Sequence, residues 1–346
     1  DLIDKLINIT KKKNKNIKIK PPQIKENLVI FLNCIIENPT FTSQTKEELK
    51  NKPSTFGSKC EIPEKLIKSL SKTGIMEQVL MYAKLKEESI SSGCEGEIIP
   101  CILDQNNDNE VIEFTNKICS KEEKIDLLVN SAYAGLIAMT PHFGKPFWER
   151  PISVYDEHMD VGVRSSYVMS KLIIPKMVKK KDGLIIQISS AGGYLYFCDV
   201  GYGVSHAAMD RLTLDMATEL KNHNIKAITL HPGGAQTEVS SFPDGESPKY
   251  VGRSILAICE NADDYFLTKA NGKTLLTAEL ANQFGFKEDY DKDGSINNTR
   301  LEATKFFKET MSKPLTQYNL ESQLPNYTDS NNEGFANIFP GAKKFK

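Results

Sequence analysis

The second part of the chain alternates short apolar runs with stretches in which apolar residues recur every three to four positions. Runs of this length are typical of buried strands, and the recurring pattern is typical of amphipathic helices. Their alternation predicts βαβ units, and hence an α/β domain built on a parallel sheet. The predicted strands are 98–103, 125–130, 184–189, 225–230 and 273–276, and the predicted helices are 110–120, 154–180, 205–221 and 248–260.

The first 88 residues follow a different pattern. Apolar residues at helical spacing begin the chain and lead into the lysine run Lys11–Lys15, and a strand-like run covers Leu28–Ile36. A broadly helical pattern covers Ile62–Lys86, and a polar stretch rich in serine and glycine follows it. We therefore predict two modules, 1–88 and 97–290, joined at 89–96 and followed by a polar, disordered tail at 305–346.

The charge is distributed unevenly between these modules. The chain of 346 residues has a formal net charge of -1, and its 40% hydrophobic and 26% charged residues are ordinary for a globular protein of about two domains. Residues 1–89 hold 17 Lys, no Arg and 11 acidic residues, which gives +6 and leaves -7 for the remainder. This asymmetry suggests two modules of different origin.

The sequence predicts an intracellular protein. No apolar run approaches the roughly 18 to 20 residues that a membrane helix needs, and residues 1–20 form a basic amphipathic stretch rather than a secretory signal. We expect a cytoplasmic location, with the nucleus as the alternative, and no membrane partner. The seven cysteines form no C-x-x-C pair, so buried reduced thiols are favoured over disulfides or metal ligands.

Five motifs in the second module agree in order and spacing. They are Leu128–Gly135, Phe147–Glu149, Tyr202–Val204, Ala207–Ala208, and Pro232–Gly233 with Gln236–Glu238. With these motifs, residues 94–290 resemble the short-chain dehydrogenase/reductases, most closely the branch called dehydrogenase/reductase SDR family member 1. The resemblance implies a Rossmann-type doubly wound parallel sheet. It also implies an oxidoreductase that uses NAD or NADP on a small carbonyl or alcohol substrate.

The resemblance implies a set of cofactor-binding residues. Asp104 would lie near the adenine, Asn130 would lie beside the cofactor at the end of its strand, and Thr237 would meet the nicotinamide amide. Tyr202 belongs to this set and to the catalytic one. Taken alone, Asn130 and Thr237 fit equally well as turn or capping residues.

The implied catalytic residues are Ser190, Tyr202, His206 and Asp160. Ser190, with Ser189 as the alternative, would orient the substrate carbonyl. Tyr202 would protonate the carbonyl oxygen as hydride arrives. Taken alone, the serines fit as strand-end hydroxyls and Tyr202 as an aromatic residue at a helix start.

Two of these positions depart from the family pattern. The family places a lysine four residues after the tyrosine, where its charge lowers the tyrosine pKa and its ammonium holds the ribose. This chain has His206 there, and imidazole is mostly neutral at pH 7 and shorter. Asp160 replaces the family's asparagine, and a carboxylate there opposes tyrosinate formation. A role for His206 as a substitute cation is the alternative.

No glycine-rich turn follows a strand upstream of Asn130. A dinucleotide fold binds the pyrophosphate on the amides of such a turn. The resemblance therefore implies an incomplete sheet that lacks the two strands expected between 98–103 and 125–130, which leaves an exposed edge. Either the strand at Leu28–Ile36 covers this edge, or the module folds poorly.

The first module carries a second resemblance. The string Phe31–Glu47, with loop residues Pro53–Cys60, is similar to eukaryotic type II DNA topoisomerase at the end of its transducer region, a small α+β fragment. The resemblance implies that Gln44 and Lys46 contact ATP, with magnesium, only if a nucleotide domain is supplied. It also implies DNA contact through the lysine run, whose members are Lys11, Lys12, Lys13 and Lys15. An exposed, solvated loop is the alternative.

One further segment resembles a metal site. Asp289–Ile296 matches the first eight positions of a calcium loop, yet position twelve is Arg300 instead of the bidentate glutamate. A polar turn is the favoured interpretation, and we predict no metal site.

The leading functional hypothesis is a short-chain dehydrogenase/reductase-like module, inactive as this chain, fused to a topoisomerase transducer fragment. A small carbonyl or alcohol would be its substrate if it were active. The second hypothesis is a DNA-contacting module in which the dehydrogenase half is a scaffold, and the third is a misjoined gene product. The sequence leaves homo-oligomerisation open.

Overall fold

The computed structural model describes residues 2–13, 21, 24, 38–42, 49–56, 62–70, 98–197, 199–237, 239–242 and 244–311. The chain divides into two compact units, residues 1–102 and 103–346.

The first unit contains two described helices, α1 (Leu2–Lys13) and α2 (Glu64–Leu70). Helix α2 lies within a stretch predicted to be helical. Helix α1 begins in such a stretch and continues through Lys13, so Lys11–Lys13 lie in a helix and not in the loop expected for the lysine run. Leu6 of α1 and Ile67 of α2 are buried. The last three residues of α1 are the lysines of the basic run, whereas the rest of the topoisomerase-like site and the predicted first strand lie outside the described residues. These are Lys15, Leu28–Ile36, Gln44 and Lys46.

The second unit is built on a four-stranded parallel sheet of order β1-β2-β3-β4. The α/β class and the parallel sheet predicted from the sequence are confirmed. Within the described part of the chain, β1 is hydrogen-bonded only to β2, so it is an edge strand. The strands are β1 (Leu127–Asn130), β2 (Gly183–Ile188), β3 (Ile225–His231) and β4 (Thr274–Leu276).

Helices cover both faces of this sheet. Alternate side chains of a strand point to opposite faces, so Ile185 packs with α3, α6 and α7 while Ile186 packs with α8, α9 and α10. The described helices of this unit are α3 (Asp108–Lys121), α4 (Gly135–Met139), α5 (Ile152–His158), α6 (Ser165–Lys180), α7 (Val200–Leu220), α8 (Pro248–Asn261), α9 (Asp264–Ala270), α10 (Thr277–Phe284) and α11 (Ser295–Met311).

The strand predicted at 98–103 is wrong, because these residues have no regular structure. Pro100 interrupts the run and has no N–H group to donate to a neighbouring strand. Ile98, Ile99 and Ile102 remain exposed. An apolar run is therefore not sufficient for a strand, because a strand must also hydrogen-bond to a neighbouring one.

The single long helix predicted at 154–180 is broken. A wide helical turn at Met159–Arg164 separates α5 from α6, and Val161 and Gly162 leave helical geometry within it. A β-carbon on Gly162 would lie 2.9 Å from Cδ2 of Tyr133. The break thus occurs where the helix passes the Tyr133 ring, and such wide turns are frequent at functional sites.

Other helices also differ from the predictions. Helix α7 begins at Val200, five residues early, because the Asp199 carboxylate caps it. Helices α4, α9, α10 and α11 were not predicted. Helix α11 continues to Met311, into the segment expected to be a disordered tail.

The calcium-like segment is a turn in front of α11. Asp291 accepts hydrogen bonds from the N–H groups of Ile296 and Asn297, which caps α11. Asp289 pairs with Lys249 and Arg253 instead. Across the described ranges, no three His, Cys, Asp or Glu side chains are grouped as metal ligands, and no described helix is long and apolar enough to cross a membrane.

Candidate active site

Ser190 and Tyr202 both lie beside Gly192, beyond the carboxyl end of β2. Ser190 follows β2 and accepts a 3.2 Å hydrogen bond from the N–H of Gly192. Tyr202 lies in the first turn of α7, half-buried. A β-carbon on Gly192 would overlap the Tyr202 ring and would lie 3.7 Å from Oγ of Ser190. Glycine at this position therefore allows the phenol ring to lie against the Ser190 turn.

His206 lies one helical turn beyond Tyr202, and the two rings are 4.1 Å apart. The imidazole is buried, and among the described residues its Nδ1 atom has no hydrogen-bond partner. Burial, with smaller contributions from His231 and His158, lowers the pKa of His206 to about 3. The ring is therefore neutral at physiological pH, unlike the lysine expected at this position.

A second tyrosine, Tyr133, packs against both of these rings. Its ring centroid lies 4.7 Å from that of His206 and 5.9 Å from that of Tyr202, edge-on to the latter. Its hydroxyl lies 2.6 Å from Nδ1 of His158 and 3.0 Å from Oγ of Ser205. Tyr133 belongs to a motif recognised in the sequence, but no role was predicted for it.

His158 joins Tyr133 to a buried ion pair. Its Nε2 atom lies 3.5 Å from Oδ1 of Asp199, and Oδ2 of Asp199 accepts a hydrogen bond from Nη1 of Arg150. Burial alone raises the pKa of Asp199, but His158, the N–H of Tyr202 and the charge of Arg150 together bring it below its usual value. Asp199 is therefore a carboxylate at neutral pH.

The predicted cofactor residue Asn130 is buried at the end of β1. Its side-chain amide donates a 3.0 Å hydrogen bond to Ser170 Oγ of α6. In the sheet register Asn130 pairs with Gln187, which pairs with Thr229. These contacts join β1 to the helix and to the neighbouring strands. Asn130 thus lies in a strand, and not in the turn or cap that was the alternative expected from the sequence.

The hydrogen bonds of the remaining predicted residues do not involve the rings of Tyr133, Tyr202 and His206. Thr237 is exposed, and its hydroxyl accepts from the N–H groups of Val239 and Ser240 in a local turn. Asp104 is exposed and accepts from the N–H of Asn106. Asp160 is exposed in the wide turn before α6. The structure thus brings Ser190, Tyr202 and His206 close together, whereas Asp104, Asp160 and Thr237 lie in turns.

Ser189, the alternative to Ser190, is buried and donates to the backbone carbonyl of His206 at 3.3 Å. The Ser189 hydroxyl is thus used inside the protein, and Ser190 is the less buried of the two serines. Sequence reasoning missed Arg150, His158 and Asp199. No motif signals them, because they become neighbours only when α5 packs against the start of α7.

Two family models match the chain. The short chain dehydrogenase model matches residues 57–244, and the DNA gyrase B model matches residues 1–93. Both resemblances expected from the sequence are confirmed.

Individual proteins give the same division. Dehydrogenase/reductase SDR family member 1 of Mus musculus is 33% identical over 214 residues, which covers 56% of this chain and 67% of that protein. DNA topoisomerase 2-beta of Mus musculus is 47% identical over 89 residues. This match covers 25% of the chain and spans only 6% of the topoisomerase.

A solved structure is also similar to this chain. A 7 alpha-hydroxysteroid dehydrogenase complexed with NADH and 7-oxo glycochenodeoxycholic acid is 22% identical, with a TM-score of 0.46, over 56% of this chain and 79% of that one.

Proposed function

Because this chain belongs to the short-chain dehydrogenase family, whose model spans residues 57–244, we propose that its second unit derives from an NAD(P)-dependent carbonyl or alcohol oxidoreductase. In our proposal it keeps a cleft for a small carbonyl or alcohol ligand at Ser190 and Tyr202. It has lost turnover by the tyrosine–lysine mechanism of the family.

The observation that carries this proposal is the buried imidazole of His206 at the position of the family's lysine. A cation beside a phenol favours the ionised form and makes the phenol a better acid. The imidazole at this position is buried, and its pKa of about 3 keeps it neutral. Residue 206, where the family has a lysine, therefore gives Tyr202 no neighbouring cation. This argues against the alternative in which His206 acts as a substitute cation.

The residues expected to hold a dinucleotide do not fit that role. The Asn130 amide is bonded to Ser170 and the Thr237 hydroxyl to its own turn. A neutral imidazole lacks the ammonium that would hold two ribose hydroxyls. We therefore derive no hydride-transfer step for this chain. What remains are the hydroxyl groups of Ser190 and Tyr202, each of which can hydrogen-bond a carbonyl or alcohol oxygen.

The test is turnover and cofactor binding by the full chain. NADH and NADPH are offered with a panel of aldehydes, ketones and alcohols, and cofactor absorbance and cofactor fluorescence are followed. We expect neither oxidation above the protein-free rate nor saturable binding. Oxidation that Tyr202→Phe abolishes and Tyr167→Phe leaves unchanged would overturn the proposal, because Tyr167 is an exposed tyrosine on α6.

A second candidate function concerns the first unit alone. The 47% identity to DNA topoisomerase 2-beta over 89 residues supports a DNA contact through Lys11, Lys12, Lys13 and Lys15. Contact with phosphates weakens as salt rises, by about one unit of slope for each charge. We expect the full chain to bind duplex DNA weakly, with a smaller salt slope when these four lysines are replaced by alanine. The matched control replaces Lys50, Lys52, Lys65 and Lys68. Equal slopes in the two quadruple variants would refute this function.

The ATP contact of Gln44 and Lys46 is part of the same proposal and requires a nucleotide domain from another chain. It is supported only by the resemblance of the first unit.

A further inference from the structure

We propose that residues 288–300 form a strap that holds the loop after β3, residues 234–247, against the aromatic rings beside Tyr202. Tyr290 and Arg300 are its positioning residues, and the strap loosens when the Glu246 carboxyl becomes charged. The inference rests on the proposed function, because the loop borders the cleft proposed at Ser190 and Tyr202.

Two side chains of the strap bind successive carbonyl groups of the loop. The Nη2 and Nε atoms of Arg300 donate hydrogen bonds of 2.8 and 3.3 Å to the carbonyl of Asp244. The Tyr290 hydroxyl donates to the next carbonyl, that of Gly245. Asp244 has a positive φ of 51°, which is uncommon for a residue other than glycine. The strap therefore fixes the turn at a residue whose backbone conformation is unusual.

Glu288 extends this contact to the start of α8. Glu288 is buried, and its two oxygen atoms accept hydrogen bonds of 2.8 and 2.7 Å from the N–H and the hydroxyl of Ser247, the residue that caps α8. Nη2 of Arg300 lies 3.3 Å from Oε1 of Glu288 and 3.1 Å from the Tyr290 hydroxyl. The strap thus binds the loop at 244, 245 and 247 through side chains that also contact one another.

The loop carries Phe242 to the aromatic side of the cleft. The Phe242 ring stacks on Phe197 with the centroids 6.1 Å apart, and the Phe197 ring lies 5.9 Å from that of Tyr202. A β-carbon on Gly234 would lie 2.7 Å from Cδ1 of Phe242, and the Gly234 carbonyl accepts a 2.7 Å hydrogen bond from the N–H of Glu246. Movement of the strapped residues therefore displaces Phe242, and through Phe197 the ring of Tyr202.

The charge balance beneath the loop depends on Glu246. The titratable groups that act on its carboxyl are Arg300 of α11, Glu288 before that helix, and Tyr250 of α8. Burial raises the pKa of Glu246 to about 7, and the charge of Glu288 adds to this effect, whereas hydrogen bonds and Arg300 oppose it. While Glu246 is neutral, Arg300 balances the Glu288 carboxylate. Once Glu246 is ionised, two carboxylates share this one guanidinium away from water, which is unfavourable.

Ionisation of Glu246 favours an open loop because this residue is part of the loop. When the loop leaves the strap, the carboxyl enters water, where its ordinary pKa is 4.5. A carboxyl group whose pKa is raised in the closed state stabilises that state fully below the open-state pKa. This stabilisation is lost as pH rises through the closed-state pKa. The strap therefore holds the loop more tightly at pH 5 than at pH 7.5.

The first test is amide hydrogen exchange of the full chain, measured by mass spectrometry on peptides of the loop and corrected for the intrinsic exchange rate at each pH. The opening of the loop should increase by more than about tenfold between pH 5 and pH 7.5. Loop peptides should exchange faster than those of β2 and β3, because the opening is local. Glu246→Gln should abolish the pH dependence, whereas Glu113→Gln, at an exposed position on α3, should retain it.

Three results of this exchange experiment would overturn the inference. They are a loop opening in wild type that does not change with pH, the same pH dependence in Glu246→Gln, and loop exchange no faster than that of β2 and β3. Neither a dinucleotide nor a ligand is used, so failure here is distinct from failure of the proposed loss of turnover.

The second test concerns the positioning residues. Tyr290→Phe removes one hydrogen bond, so at pH 5 the loop should open roughly two- to tenfold more. Arg300→Lys keeps the charge but loses the planar fork, and it should act in the same direction. The control is Tyr265→Phe, at an exposed position of α9. Equal loop exchange in the two tyrosine variants would contradict the strap, even if the Arg300 variant does not fold.

The link to the cleft is measured by ¹⁹F NMR of protein labelled with 4-fluorophenylalanine, a label that does not itself titrate. Phe197→Leu assigns the signal of Phe197, the ring that contacts Tyr202. This signal should shift in Tyr290→Phe and stay in place in Tyr265→Phe. An unshifted Phe197 signal in Tyr290→Phe would show that the strap does not act on the cleft, and would refute its positioning role.

Discussion

Glu246 offers a sharp physical test of the fold, because it is a buried carboxyl group that the site chemistry does not use. Its side chain is 2% exposed. The Thr277 hydroxyl lies 2.7 and 2.8 Å from its two oxygen atoms. Its backbone N–H donates to the carbonyl of Gly234, and its carbonyl accepts from the N–H of Gln236. Glu246 therefore anchors the loop that follows β3.

The charge state of Glu246 depends on pH in the physiological range. Burial raises its pKa from 4.5 to about 7, against the smaller opposing effects of Thr277, Gly233 and Arg300. A carboxyl group whose pKa is raised on folding binds its proton more tightly in the folded state. Its contribution to the free energy of unfolding is thus fully present below the pKa of the unfolded state. The contribution is lost as pH rises through the pKa of the folded state.

The size of the effect follows from these two values. A change from 4.5 to about 7 corresponds to about 3 kcal/mol, at about 1.4 kcal/mol for each pKa unit. Glu246→Gln keeps the shape and an oxygen that accepts from Thr277, but it does not ionise. At pH above the folded pKa we therefore expect the variant to be more stable than wild type by up to about 3 kcal/mol.

The assay is urea unfolding of both proteins, followed by circular dichroism at intervals between about pH 5 and pH 8, the window in which this group loses its proton. The difference in unfolding free energy between variant and wild type should rise across this window. The effect of His206 is common to both proteins and cancels. Glu113→Gln, at an exposed position on α3, should give a flat difference. A flat difference for Glu246→Gln as well would refute the assignment of a buried, titrating carboxyl.

Three further predictions concern the cluster and the core. His206→Gln should remove a source of acid lability. Because the pKa of His206 is lowered to about 3, the stability linked to this group is fully present above about pH 6.5 and is lost as pH falls. Urea unfolding near pH 4 should therefore show the variant more stable by roughly 3 kcal/mol. Gly192→Ala should lower stability by about 1–3 kcal/mol through overlap with the Tyr202 ring, whereas Gly252→Ala, with open space around it on α8, should not lower the melting temperature. Ile185→Ala, at a fully buried position of β2, should cost about 2–5 kcal/mol in urea unfolding, and a cost below 1 kcal/mol would contradict the packing described for this face.

The sheet could be predicted from the sequence because its signal is local. Strands β2 and β3 are continuous apolar runs, such as Ile225–Leu230, and a parallel strand buried on both faces requires that composition. Their ends were predicted to within about a residue. The motifs at Asn130 and Tyr202 then gave the family, since their order along the chain survives even where individual residues have changed.

The errors arose where tertiary contacts decide local structure. The break at Gly162 lies where the ring of Tyr133 packs closely against the helix, a contact that the pattern within 154–180 does not reveal. Asp199 looks like a loop residue until its carboxylate is seen to cap α7. The positions of Asp104 and Thr237 were carried over from the family pattern, whereas here their polar atoms are satisfied within local turns.

The glycines around His158 also constrain how this sequence can change. Gly135 and Gly201 leave room only for hydrogen where they meet the imidazole. A side chain at either position is excluded while the histidine is present, and it becomes acceptable once a small residue replaces the histidine. The effect of a substitution at 135 or 201 therefore depends on residue 158. We expect Gly135→Ala to be harmful alone and tolerated together with His158→Ala.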